Sequence, residues 1–380
     1  MKKVLLIETF AQVNGGQKMS LLIADMLRES GKFDVIWAIP TEGGLSDVLQ
    51  SKGYTYELLG DLNLPSGVKG KSVIFTYGLM TLRSIRKINR MIRTKKIDIV
   101  YAPGPAALPW AAFCGLLRHK AVIWHLHHIF MDGPTKKLLN YCSAFSSVKR
   151  IIAVSNAVAE QITDKTGKTK CLTLYNPVDF QKYSSGKIEN IAATEPFMRK
   201  LGGEKLMVLE HIGIIHPTKN QEFTIRLVGA FRKMDRQVHA VFIGKCESTE
   251  DDYQQELMAL SEQLGISDRI HFVGLQSNIP DWLKGADAVV VPSLEGLPLV
   301  ALEAMAAGVP IIATDQCGVG ELLHISEVGR TFAENEPLED ICQLTLAAIE
   351  DKNRIRNGLA FAEMHDYRRY SDSLIQVFDC

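Results

Sequence analysis

What this chain lacks narrows its function before any motif is considered. No apolar run approaches the ~20 residues that a bilayer-spanning helix needs. The longest, residues 106–117, is interrupted by Pro109, so no part is expected to cross a membrane. The seven cysteines are odd in number, scattered, and contain no Cys-x-x-Cys pair. That argues against a disulfide framework or a zinc site and fits a reducing cytoplasm. There is no Gly-x-Gly-x-x-Gly and no Gly-x-x-x-x-Gly-Lys-Ser/Thr, so neither a dinucleotide oxidoreductase nor a P-loop ATPase is supported. No Asp-x-Asp is available to hold Mg²⁺ or Mn²⁺ at a strand-to-loop junction. No low-complexity tract points to disorder. The opening Met1-Lys2-Lys3-Val4 leads into only about four apolar residues, too short a run for a signal peptide.

Net charge is also missing, but only on average: 43 Lys/Arg balance 43 Asp/Glu. Residues 1–190 hold 26 basic against 14 acidic side chains, a net +12, and residues 191–380 hold the compensating −12. The first half is therefore expected to favour an anionic surface or substrate.

At 380 residues two domains are the default expectation. Strand-like runs alternate with helical patterns throughout, the signal for parallel α/β sheets. In the first half strands are expected near 3–8, 33–39, 54–59, 98–102, 121–127, 150–154 and 171–175, with helices at 16–30, 79–96, 135–147 and 156–165. In the second half strands are expected near 206–212, 238–243, 270–273, 288–292, 310–314 and 329–332, with helices at 219–234, 252–264, 298–307 and 337–350. The polar stretch 181–194 reads as a linker. Each half thus forms a doubly wound domain, 1–185 and 200–355, with a cleft expected between them.

The most informative segment is Pro292-Ser293-Leu294-Glu295-Gly296-Leu297-Pro298-Leu299-Val300-Ala301-Leu302-Glu303, in which seven residues separate two glutamates. A strand ending near Val291 feeds a loop carrying Glu295, and a short helix carrying Glu303 follows. Pro298 suits the first helical position and Gly308 a left-handed stop. Open α/β sheets bind ligands at this end of their strands, and the free amides of a helix start suit an anion or sugar hydroxyls. An exposed glutamate on a helix is usually only a solvated face. This helix is apolar almost all round, however, so Glu303 would be a costly buried charge unless partnered.

This segment resembles the signature of the retaining glycosyltransferases of family four. Further matches follow in the family's order along almost the whole chain. They are Val4-Leu5-Leu6-Ile7 with Gly15-Gly16, Ile151-Ile152-Ala153-Val154-Ser155, and Tyr175-Asn176-Pro177-Val178-Asp179. After these come Ile212-Gly213-Ile214-Ile215-His216-Pro217-Thr218-Lys219-Asn220, Phe242-Ile243-Gly244, Phe272-Val273-Gly274 and Ala286-Asp287. The resemblance implies the GT-B fold, with residues 356–380 forming a last helix that crosses back onto the first domain. It implies a nucleotide-sugar substrate, a UDP-sugar ahead of a GDP-sugar, and no cofactor. In this class Glu295, with amides around Gly296, Leu297, Leu299 and Val300, positions the donor sugar, and Glu303 holds the ribose hydroxyls. Gly213, Gly244 and the Gly274-Leu275 backbone line the nucleotide, and Gly16 approaches the diphosphate.

Residue chemistry agrees at several of these points. Gly15-Gly16 opens a helix whose amides could meet a phosphate, although a bare Gly-Gly is equally an ordinary turn. Lys219 could neutralise a departing diphosphate, or be one more surface lysine. The family pattern has an arginine where this chain has Ile214, which weakens the expected clamp unless His216 or Lys245 compensates. In Trp124-His125-Leu126-His127-His128, alternation places His125 and His127 on one face and His128 on the other. No acidic or thiol ligand is spaced nearby, so metal-independent chemistry is expected. By resemblance His127 lies beside the reacting sugar.

The helix spanning residues 82–96 carries Arg83, Arg86, Lys87, Arg90, Arg93, Lys95 and Lys96 and no acidic residue, with Leu82, Ile85, Ile88 and Ile92 as its apolar stripe. It covers its own sheet, and its basic face suits anionic headgroups at the inner side of a membrane, or a phosphorylated acceptor. Nucleic acid is not expected, since no aromatic residues interleave the charges. The expectation is a cytoplasmic hexosyltransferase-like enzyme, peripheral at the inner face of a membrane, of surface polysaccharide or glycoconjugate biosynthesis, acting on a glycan or lipid-linked acceptor. A nucleotide-sugar epimerase of the same architecture and a catalytically weak partner subunit stay open.

Overall fold

The computed structural model describes residues 1–60, 62, 71–130, 132–192, 206–246 and 251–379. The chain divides into two compact units, one of Met1–Tyr175 with Tyr370–Cys380 and the other of Asn176–Arg369.

The first unit is built on strands β1 (Lys2–Ile7), β2 (Phe33–Ile39), β3 (Thr55–Leu58), β4 (Ile99–Ala102), β5 (Ala121–Leu126), β6 (Val148–Ala153) and β7 (Cys171–Thr173). They pair in the order β3-β2-β1-β4-β5-β6-β7, every pair parallel. The helices are α1 (Gly15–Glu29), α2 (Gly44–Ser51), α3 (Lys71–Thr94), α4 (Ala107–Arg118), α5 (Gly133–Ser143), α6 (Asn156–Ala159) and α7 (Lys165–Lys168). Val4, Leu5, Leu6 and Ile7 are all fully buried. This is why β1 reads as a continuous apolar run rather than an alternating one: both faces of a parallel sheet are covered.

The second unit contains α8 (Phe180–Ser184), α9 (Glu189–Ala192), β8 (Met207–Ile212), α10 (Gln221–Lys233), β9 (Val238–Ile243), α11 (Asp251–Gln263), β10 (Ile270–Gly274), α12 (Ile279–Gly285) and β11 (Ala288–Val291). It continues with α13 (Leu299–Ala307), β12 (Ile311–Thr314), α14 (Cys317–Ser326), β13 (Arg330–Phe332), α15 (Leu338–Glu350) and α16 (Lys352–Met364). Its six strands form a parallel sheet in the order β10-β9-β8-β11-β12-β13. One face packs on α10, α11 and α15 around Leu209, Phe231 and Phe242, and the other buries Val208, Val241, Ile243 and Trp282. The last helix, α17 (Tyr367–Phe378), starts in this unit, and from Tyr370 it belongs to the first. There Phe378 packs edge-on to Phe33, 5.8 Å between ring centres, and against Tyr101 at 5.4 Å.

Both units are α/β and doubly wound. In each, strand order reverses beside the first strand, between β1 and β4 and between β8 and β11. Loops diverge there at the strands' carboxyl ends and leave a crevice.

Several elements differ from the sequence expectation. Residues 181–184 and 189–192 of the supposed linker are helical, and its last residues, Ala193 and Thr194, lie outside the described residues, as does residue 200, the expected start of the second domain. Residues 356–364 stay in α16, which packs on α13. The expected helix 156–165 is two short ones, because the side chain of Asp164 caps a fresh start at Gly167 N, 2.9 Å away. Pro298 is the extended residue before α13, with ψ 127°, rather than its first helical residue. Gly308 does end α13 in the left-handed region, at φ 73°. Leu82 is exposed and not part of the buried stripe of α3, whose inner face is Ser84, Ile88, Met91 and Ile92.

Candidate active site

In the second unit the switch point gathers the loops after β8 and β11. After β8, residues 217–219 form one tight helical turn. The Nδ1 of His216 accepts from Thr218 N at 3.1 Å, and Asn220, left-handed at φ 56°, ends the turn. Gln221 donates from Nε2 to the Ile214 carbonyl at 2.8 Å and ties the loop to α10. Lys219 projects from this turn. Beneath it, His211 is buried and bonded to Thr224 at 2.9 Å, and burial together with the Lys219 charge lowers its pKa to about 3. It is therefore a neutral support.

After β11, the Ser293 hydroxyl donates to Glu295 Oε1 at 2.6 Å. The other oxygen, Oε2, lies 2.7 Å from Lys219 Nζ. The two residues that sequence reasoning assigned to different parts of a ligand thus form one ion pair. Both side chains are about a quarter exposed, so the pair remains accessible to a ligand. Gly318 N donates to the Glu295 carbonyl at 3.0 Å and fixes the loop from the far side. Leu297 is buried, and its carbonyl accepts from Asn176 Nδ2 at 3.3 Å. The amides of Leu299 and Val300 start α13 and have no acceptor within that helix.

Glu303, on the second turn of α13, is half-buried and partnered: the Tyr183 hydroxyl of α8 donates to its Oε1 at 2.6 Å. Burial, and then the carboxylate itself, push the Tyr183 pKa well above the ordinary tyrosine range, so the hydroxyl keeps its proton as a donor. If Glu303 grips a ligand, Tyr183 orients it. We expect Tyr183→Phe to weaken nucleotide affinity several-fold, of the order of one hydrogen bond to a charged group. Calorimetric titration with a nucleoside diphosphate checks this, and unchanged affinity with lowered stability would make the contact purely structural.

The glycines divide. A Cβ on Gly244 would fall 1.8 Å from the Gly213 carbonyl oxygen. Its smallness is thus demanded by the close approach of two strand ends, whatever a ligand requires. A Cβ on Gly213 would make only ordinary contact with the Lys219 stem, 3.6 Å away. Gly274 is left-handed at φ 69° with open space before it, and Leu275 beside it is exposed.

The first unit brings together a second set. Asn14 precedes α1, and Gly15 and Gly16 open it with nothing within 4 Å of an added Cβ. Buried Glu8, at the end of β1, accepts from the Ser20 hydroxyl and, at 3.1 Å, from Gln17 Nε2. Burial raises its pKa against the opposing effect of these bonds. It anchors the start of α1 from below. His125 is fully buried and shares a 2.7 Å bond between Nδ1 and the Tyr101 hydroxyl. Its ring lies 4.1 Å from that of His127, as one-face alternation requires. Burial lowers the pKa of both, to about 3 for His125 and, with the neighbouring imidazoles adding to the effect, well below the ordinary histidine value for His127, so both are neutral imidazoles. Both Nε2 atoms are enclosed without a partner among the described residues. No group of three or more His, Cys, Asp or Glu side chains is placed to share a metal ion among the described residues.

Glu8, Tyr183, His211 and Ser293 escaped sequence reasoning. Only Ser293, two residues from Glu295, had a local signal.

A family model described as Glycosyltransferase Family 4 matches residues 13–182, and one described as Glycosyl transferases group 1 matches residues 195–358. The chain belongs to the family-four glycosyltransferases. Among the relatives of this glycosyltransferase is the lipopolysaccharide core biosynthesis mannosyltransferase LpsB of Rhizobium meliloti, 36% identical over 128 residues, which is 32% of this chain and 36% of the relative. Another is the D-inositol 3-phosphate glycosyltransferase of Corynebacterium glutamicum, 31% identical over 189 residues, 47% of this chain and 44% of the relative. The chain thus spans less than half the length of either. The fold of the transferase matches that of HepE of Anabaena over 100% of both chains at 20% identity, with a TM-score of 0.82 to its complex with UDP and 0.81 to its complex with UDP-glucose. The architecture is therefore GT-B.

Proposed function

We propose that this glycosyltransferase moves a sugar from a nucleotide-sugar donor to a glycan or lipid-linked acceptor, with retention of configuration and without a metal ion. The observation that carries this is the Lys219–Glu295 ion pair at the switch point of the second unit, in which Glu295 belongs to the loop that leads into the first amides of α13. As the glycosidic bond breaks, negative charge gathers on the leaving diphosphate. Lys219 is the cation available for it, and a neutral His211 below leaves that charge undivided. Glu295, fixed by Ser293, offers carboxylate oxygens to sugar hydroxyls, and Glu303, held by Tyr183, does the same for the ribose. In the first unit the α1 start at Gly15–Gly16 offers amides to an anion, and His127 offers a neutral imidazole. The Gly274–Leu275 backbone, exposed and turned by its positive φ, is suited to a nucleobase. Gly213 and Gly296 are kept as donor contacts. Gly244 acts indirectly, by letting the loops after β8 and β9 approach.

The donor preference is a UDP-sugar, as in the UDP and UDP-glucose complexes of HepE. The acceptor class is read from the relative LpsB and the basic α3 face, which support a role in surface polysaccharide or glycoconjugate assembly at the inner side of a membrane. No described helix is long and apolar enough to cross one. An epimerase would release a free, altered nucleotide sugar with no acceptor, so product analysis separates the two reactions.

Two measurements test this reading. UDP at about 100 times its dissociation constant should stabilise the fold by roughly 2.7 kcal/mol, seen as a raised melting temperature, with GDP weaker. Transfer should persist in excess EDTA, and a complete loss that added metal restores would overturn metal-independent chemistry.

A further inference from the structure

Helices α3, α4 and α5 together hold nine Lys/Arg residues and no acidic one. α3 and α4 lie side by side and run the same way. Trp110 Nε1 donates to Thr81 at 3.0 Å, Cys114 Sγ to the Ile85 carbonyl at 3.7 Å, and Arg118 Nε to Asn89 at 3.3 Å. These three rungs recur every four residues on both helices, so each helix turns a defined face outward. On α3 that face is Leu82, Arg83, Arg86, Arg90 and Arg93, all exposed, and none of the four arginines is in an ion pair among the described residues. The other basic residues of this stretch are less free. Lys87 donates to the Leu58 carbonyl at 3.3 Å, and Lys95 pairs with Glu57 at 3.0 Å.

On α4 the outward residues are apolar. Phe113, Leu116 and Leu117, at helical spacing, are 39%, 42% and 63% exposed. The apolar strip continues onto α5. Phe145 lies 5.1 Å from Phe113 and 5.3 Å from Tyr141, which is itself 66% exposed. Scattered single apolar side chains on a surface need no explanation, whereas a contiguous patch rimmed by one sign of charge marks an interaction site.

We infer that this joint face of α3, α4 and α5 docks on an anionic lipid bilayer, with the arginines of α3 on headgroup phosphates and Phe113, Leu117 and Tyr141 entering the headgroup–acyl boundary. The inference rests on the reading of α3 as an anionic-surface contact and adds what that reading lacked, a second helix supplying the apolar half. Charge complementarity decides the occupant. Three helices without an acidic residue, beside an apolar strip, match the two layers that such a membrane presents at its surface. A second copy of the chain would set one arginine row against another. A soluble phosphorylated sugar would leave the apolar strip in water.

Cosedimentation with vesicles of phosphatidylcholine alone, or mixed with phosphatidylglycerol, tests this. The protein should bind the mixed vesicles only, reversibly by salt, since exposed charges are screened over roughly 8 Å at physiological ionic strength. Arg83→Glu, Arg86→Glu, Arg90→Glu and Arg93→Glu combined should lower partition at least roughly a hundredfold. Phe113→Ser with Leu117→Ser should lower it roughly tenfold or more. Leu117→Trp reports insertion directly, because all four native tryptophans are fully buried and form a constant background. Its emission should shift blue on mixed vesicles and be quenched by shallow acyl-chain quenchers. UDP stabilisation serves as the folding control for every variant. Salt-sensitive binding without a blue shift, and insensitive to the serine pair, would overturn insertion and leave only electrostatic contact. Binding to neither vesicle type would overturn membrane docking altogether and leave donor chemistry untouched, and equal binding to both would overturn the role of the arginines on anionic headgroups and with it the inference. A dimer in solution that the serine pair dissolves would assign the face to a second copy and overturn the inference.

Discussion

Lys219→Ala should lower turnover by about two to three orders of magnitude while the protein stays folded. The size follows from what the residue is asked to do: loss of one preorganised donor to a developing oxyanion costs roughly 10²–10³ in rate. Its stability effect should be small. The Lys219–Glu295 pair is partly solvent-exposed, and ion pairs of this kind contribute only about 0–1 kcal/mol. The contrast between a large rate loss and a small stability loss separates a catalytic pair from a structural one. Glu295→Gln keeps the Ser293 contact but removes the charge, and should also abolish most transfer while sparing affinity for a free nucleoside diphosphate. The double variant sharpens the test. If the two groups served only each other, removing both would relieve an unpaired charge and restore activity relative to either single change. If each acts on the donor, the double variant is at least as inactive as the worse single one. Steady-state rates on a nucleotide-sugar panel decide between them, and near-normal turnover in Lys219→Ala would defeat the proposed mechanism.

Unfolding of the second unit should become easier as pH rises from 6.5 to about 9, and Glu210→Leu should remove that dependence. Glu210 sits in the central strand β8, fully buried, and both its carboxyl oxygens are enclosed without a hydrogen-bond partner among the described residues. Burial raises its pKa from 4.5 to about 8. The folded state therefore holds the proton more tightly than the unfolded chain does. The stability this contributes is fully present below the unfolded pKa and is lost as pH climbs through the folded one. At about 1.4 kcal/mol per pH unit, the loss between pH 6.5 and the folded pKa near 8 amounts to about 2 kcal/mol. Buried histidines such as His211, with lowered pKa values, act in the opposite direction and only below pH 6.5. Between pH 6.5 and 8 the carboxyl dominates, because buried thiols such as Cys342, raised from 9.0 to about 12, act in the same direction only as pH approaches 9. Glu210→Leu, similar in volume and without a charge to bury, should stabilise most at alkaline pH. Melting curves of the two proteins that run parallel from pH 6.5 to 9 would show that Glu210 finds a partner in solution.

The sheets were legible in the sequence because a central parallel strand is buried on both faces. Val4–Ile7 and Ala288–Val291 can hardly be anything else once turn residues bound them. The glutamate segment was legible too, since strand, loop, helix and left-handed stop lie within twenty residues and obey local rules. Helices α2, α4, α12 and α14 were not named: α2, α12 and α14, at 8, 7 and 10 residues, are shorter than the window over which helical periodicity can be measured, and α4, at 12 residues, is apolar almost all round and shows no periodicity to read. What no local pattern carries is the partner of a side chain distant in sequence. Lys219 meets Glu295 across 76 positions of chain and Tyr183 meets Glu303 across 120, and only the order of strands in the sheet brings their loops to one crevice. The same holds for Glu8 and Glu210. As letters they are single acids at the end or in the middle of apolar runs, and burial alone makes one an anchor and the other a raised-pKa carboxyl. The basic face of α3 was written in the sequence. That an apolar face of α4 lies beside it was decided by packing, through three contacts that join the helices along their length. The residues alone therefore determined the type of each domain and the chemistry on offer, because strand burial and helix spacing are local. Which groups act as pairs was left to the tertiary structure, because pairing depends on distances that only the folded sheet sets.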